Sequence, residues 1–171
     1  MNQPVRSRCW PEDPDMLDGK HEIELPSERY TQVFWDADIL DLDDKNRNDK
    51  IIGTEEVFRV RFRVELRGRL WKCITGDWRF DLGFKPIGPG PGFFLSSLLP
   101  AGSLDVKDWR GCDRLCIEKV VDVQPGTIKL DDHLDTEVFE VAGKVELRCC
   151  DGSVAVAGYE ALEEYEFFKG A

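Results

Sequence analysis

From about Ile23 onward the apolar positions recur with period two, not the 3.6 of a helix. The clearest stretch is VFRVRFRVELR, where Phe58, Val60, Phe62, Val64 and Leu66 alternate with Arg59, Arg61, Arg63, Glu65 and Arg67. That pattern predicts a strand with one buried face and one wet face carrying the guanidinium groups. Turns at Arg67–Gly68 and Gly76–Asp77 would fold it into a three-strand meander. In that register Val64 faces Trp71, Phe62 faces Cys73, Cys73 faces Phe80 and Trp71 faces Leu82, with Phe84 on the same side. A slip of one residue would scatter those bulky groups over both faces.

A second hairpin is written into residues 138–168. Phe139, Val141, Gly143, Val145, Leu147 and Cys149 alternate with polar residues, and Asp151–Gly152 is a strong turn signal. It pairs Leu147 with Val156 and Cys149 with Val154. Further on the parity reverses, so that Tyr159, Ala161, Tyr165 and Phe167 form the apolar set, which calls for a bulge near Ala157–Gly158. Arg114–Val123 reads as a strand with Leu115, Ile117, Val121 and Val123 inward. Thr127–Leu130 reads as a short strand after Gln124–Pro125–Gly126, and Tyr30–Ile39 as an N-terminal strand. Seven or eight strands with almost no helix predict an all-β fold, a single antiparallel β-sandwich or partly open barrel. Residues 1–22 read as a Pro-containing acidic tail and 23–171 as the domain.

Residues 86–103, PIGPGPGFFLSSLLPAGS, break the strand pattern with prolines and glycines and then gather Phe93, Phe94, Leu95, Leu98 and Leu99. A loop plugging an open end of the sandwich is the simpler reading. An apolar patch offered to a partner is the sharper one.

Composition narrows the function classes. The chain has 171 residues, 42% hydrophobic and 33% charged, with a net charge of −11. No apolar run approaches the ~20 residues of a membrane helix. The acidic balance argues against nucleic acid and against anionic membrane surfaces. No secretory signal opens the sequence, so the 6 cysteines are expected as thiols in a reducing cytoplasm.

Candidate chemistry is sparse. VFWDADILDLDDKNRNDKIIG (33–53) resembles the acidic loop of C2 domains, in which an apolar strand ends in D-x-D and a further Asp precedes an Ile-Gly strand start. The resemblance implies Ca²⁺ held by Asp36, Asp38, Asp44 and Asp49, and through it a phospholipid-binding function. A solvated acidic connection is the preferred alternative. His133 in DDHLD (131–135) reads as a turn, and no nucleophile elbow, phosphate loop or metalloprotease motif is present. Glu160, Glu163, Glu164 and Glu166 read as a wet strand face. The row Arg59, Arg61, Arg63 and Arg67 could hold an anion, but an acidic strand alongside, such as that of Glu160, Glu164 and Glu166, is its ordinary use. The expected function is therefore a non-enzymatic module binding protein or copies of itself through the arginine row and residues 93–99. The alternatives are the Ca²⁺ module and a small-ligand barrel lined by Trp71, Trp78 and Phe80.

Overall fold

The computed structural model describes residues 21–23, 31–42, 50–68, 74–109 and 116–170. In chain order these form β1 (His21–Ile23), β2 (Thr31–Asp41), β3 (Ile51–Gly53), β4 (Phe58–Gly68), β5 (Gly76–Pro86), β6 (Phe93–Phe94), β7 (Asp105–Trp109), β8 (Cys116–Val123), β9 (Thr136–Arg148) and β10 (Val154–Phe168). One sheet has the order β1-β2-β4-β8. The other has the order β3-β10-β9-β5-β6, with β7 also on β5. The β3–β10 pair is parallel and the other pairs are antiparallel. The fold is an all-β sandwich.

Alternation decides what lies inside. Val33, Trp35, Ala37 and Ile39 of β2 and Phe58 to Leu66 of β4 meet Trp78, Phe80, Leu82 and Phe84 of β5 and Phe139, Val141, Val145 and Leu147 of β9 in one core. Phe62 of the first sheet stacks on Phe80 of the second, with ring centroids 5.0 Å apart. At one end Phe58, Phe84, Phe139 and Phe167 pack edge to face at 5.8–6.1 Å, the geometry that ring quadrupoles favour. Gly143 leaves room for the Trp35 indole, since a Cβ there would lie 2.9 Å from the ring.

The meander is corrected. β4 pairs with β2 and β8, while β5 pairs with β6, β7 and β9, so the chain changes sheet between Gly68 and Gly76. Gly76 opens a strand instead of making a turn. The apolar set of residues 58–84 still shares one buried side, but across the sandwich instead of within one sheet. Period two fixes which face is buried and leaves the neighbouring strand open. Trp71, Cys73 and Leu115 lie outside the described residues.

The second hairpin has Leu147 opposite Val156, as expected, but Val154 lies opposite Arg148, and Cys149 instead meets Ser153 through its N–H. The register shifts fall between Val154 and Val156 and between Ala161 and Glu164, not at Ala157–Gly158. Tyr159 and Ala161 therefore point outward, and only Tyr165 and Phe167 of the late apolar set are buried. Residues 127–130 form no strand, yet Ile128 and Leu130 reach the core.

Candidate functional site

The arginine row sits on the outward side of β4, flanked by acids on both neighbouring strands. The registers align Asp36, Arg63 and Glu118, then Asp38, Arg61 and Val120, then Leu40, Arg59 and Asp122. Arg63 donates to Asp36 at 2.7 Å and to Asp38 at 3.1 Å, and Arg61 donates to Asp38 at 2.8 Å. Arg59 forms a two-pronged pair with Asp122 at 2.7 and 3.0 Å, and the bond from Arg59 holds the Asp122 carboxyl below its ordinary range. Arg67 bonds Glu65 on its own strand and lies 4.6 Å over the Phe34 ring. The expected wet face is thus corrected. The Arg63 and Asp36 side chains are only 2% and 3% exposed. Cross-strand neutralisation is the use that the row was expected to have, but its partners are β2 and β8. Glu160, Glu164 and Glu166 belong to the other sheet.

The same geometry bears on calcium. Asp36 and Asp38 lie inside β2, which continues to Asp41, and not in a loop at a strand end. Their carboxylates are engaged by arginines, which removes them from the ligand set that the C2 resemblance implies. Asp44 and Asp49 lie outside the described residues. Among the described residues, no group of three or more His, Cys, Asp or Glu side chains is arranged to hold a metal. Of the residues expected to line a small-ligand interior, Trp78 and Phe80 are buried core side chains, and Trp71 lies outside the described residues.

A different site emerges on the outward face of the second sheet. The registers of β5, β9 and β10 place Gly83, Ala142 and Ala161 side by side across three strands. On one side of this row lie Lys85, Glu140 and Glu164, and on the other Asp81, Lys144 and Tyr159. Small residues between two rows of long ones make a trough that crosses the strands, with a volume of about 940 Å³. Phe94 stands at its β5 end, its ring against Gly83, and is 55% exposed, while Tyr159 is 66% exposed. The segment 93–99 is divided between core and surface. Phe93 stacks on Phe84 at 5.0 Å and Leu95 is fully buried, whereas Phe94 and Leu98 face solvent. Leu99 packs partly against the core. Asp81 fixes the segment by accepting bonds from the backbone N–H and hydroxyl of Ser96.

No family model matches the chain, and no curated protein matches it. Among solved structures it is similar to a Niemann-Pick type C2 protein from Japanese carpenter ant, with 11% identity and a TM-score of 0.38, over 79% of this chain and 89% of that one.

The trough is electrostatically mixed. Lys144 bonds Glu146 at 2.8 Å and lies 5.7 Å from the Tyr159 ring centroid. Burial pushes the Glu146 carboxyl up, but bonds from Lys144 and Arg148 outweigh it and hold the group below its ordinary range. Lys85 pairs with Glu140 at 3.4 Å, and Glu163 with Lys50 at 3.0 Å. The floor of Gly83, Ala142 and Ala161 was hidden from sequence reasoning because it exists only once β5, β9 and β10 are known to be neighbours. Elsewhere, Cys116 is disulfide-bonded, which corrects the reading of six thiols, and Cys149 and Cys150 are free. Among the described residues no helix is long and apolar enough to cross a membrane.

Proposed function

We propose that this sandwich is a non-enzymatic binding module that engages protein through the outward face of β5, β9 and β10. The transverse trough carries the reading. Its floor lies at backbone depth, two exposed aromatic side chains border it, and charged groups of both signs rim it. Such concave apolar ground with a polar rim is how interaction surfaces differ from ordinary solvated faces. The competing face, the arginine row, has its charge neutralised within its own sheet. The disulfide at Cys116 fits an oxidising compartment better than the reducing cytosol.

The test is a selection from a displayed-peptide library followed by amide-shift mapping. Selected peptides are expected to move the amides of Gly83, Ala142 and Ala161, and A142R, which fills the trough, is expected to abolish the shifts. Shifts confined to β2, β4 and β8, or binding untouched by A142R, would overturn the reading.

A further inference from the structure

The rows beside the trough are complementary to each other, and that points to a specific occupant. Consider a two-fold axis lying along the trough, between two copies set face to face. It keeps each strand over its own counterpart and exchanges the two rows. Lys85 then meets Asp81 of the second copy, Glu140 meets Lys144, and the Glu164 carboxylate meets the Tyr159 hydroxyl. Each contact occurs twice. A two-fold along the strands would instead set Glu140 on Glu140 and Lys144 on Lys144, which like-charge repulsion disfavours. From this charge complementarity we infer that the trough face is a homodimer interface with its two-fold axis along the trough, an inference that rests on the binding reading above.

The geometry supports close approach. Sheets pack face to face at about 10 Å, and a middle row of Gly83, Ala142 and Ala161 presents no bulky side chain to hold them apart. The axis brings the two Phe94 rings together above their glycines, giving the interface an aromatic anchor of the kind that dominates binding energy. The groups involved are accessible, since the Lys85 and Glu140 side chains are 76% and 57% exposed. The face is small. Five outward rows on three strands cover roughly 500 Å² a side from strand spacing and rise, below the ~800 Å² of a standard interface. The association is therefore weak and reversible, and the concentration range of the test must reach about millimolar.

Sedimentation equilibrium of the full chain, from about 10 µM to 1 mM, tests the inference with charge reversals. E140K and K144E are each expected to raise the dimer dissociation constant roughly tenfold or more, by placing like charges together twice. The double variant E140K/K144E in one chain is expected to return to near the wild-type constant, as is an equimolar mixture of the two single variants. Within one chain the double reversal worsens contacts, since E140K sets a second cation beside Lys85 and K144E sets a second carboxylate beside Glu146. Rescue by the double variant can therefore come only from the second copy. Thermal melts by circular dichroism establish that each variant is folded. A wild-type chain that is monomeric throughout, single variants without effect, or a double variant that stays dissociated would overturn the dimer. The binding reading stands or falls separately on the peptide shifts.

Discussion

Arg63 and Arg59 occupy equivalent positions on one strand, two turns of the pleat apart, and their surroundings give them unequal weight. Removing Arg63 takes a 2.7 Å cation partner away from the buried Asp36 carboxylate, so R63A is expected to cost about 3–5 kcal/mol in urea unfolding. R59A loses a pair that is 40% and 41% exposed and is expected to cost far less, since solvent screens such a pair. Equal losses would contradict the burial described. Gly143 is set by a neighbour and not by backbone freedom: a methyl there meets the Trp35 ring, and G143A is expected to cost roughly 1–3 kcal/mol as overpacking. Tyr165 makes stability pH-dependent. Burial, then the charges of Glu163 and Asp38, push its phenol up to about 12 from the ordinary 10.0. Above pH 10 the unfolded chain loses this proton while the native chain keeps it, so stability falls as pH rises from 10 to 12. The expected loss is roughly 2–3 kcal/mol. Unfolding of wild type and Y165F across that range checks it, because the variant lacks this component. At this scale the sequence was legible where alternation alone sufficed, as for Phe62 or Phe80. It was silent on Arg63, because a buried guanidinium is visible only beside the aspartates of another strand.

Among the elements, β4 was readable almost to the residue, and its neighbours were not. The turn signal at Asp151–Gly152 located the β9–β10 hairpin and its Leu147–Val156 pair, but not the pairing beside the turn, where Val154 lies opposite Arg148. Gly76 looked like the same kind of signal and is not one. It has φ 137° and lies against Arg148, where a Cβ would collide with the carbonyl oxygen. G76A is expected to lower stability by about 1–3 kcal/mol through backbone strain, read as a drop in melting temperature. The alternation demands a bulge in β10 but misplaces it, because Leu162 and Tyr159 are both large and parity alone does not choose between them. Cysteine accessibility separates the strands in a further way. Alkylation of the native chain without reductant is expected to modify Cys150 and Cys149, and Cys116 only after reduction and unfolding. Early labelling of Cys116 would remove the disulfide.

For the whole molecule, the sandwich followed from period-two patterning and the scarcity of helix. The strand order did not, because long connections such as residues 86–103 conceal which edges meet. The trough lay beyond sequence reasoning for the same reason. The two outward faces also divide the charge differently: on one, arginines are held between acids, while on the other each row beside the trough carries both signs. The parallel contact of β3 with β10 has a consequence for how the protein is made. It joins Ile52 to Phe167 across 115 positions, and Phe167 fits among Phe58, Phe84 and Phe139. During synthesis β10, made long after β3 and β4, is the strand that completes this aromatic nest. Until it leaves the ribosome, the nascent chain carries an unfinished hydrophobic hollow that chaperones can recognise, and closure of so distant a contact sets a slow, millisecond-to-second step.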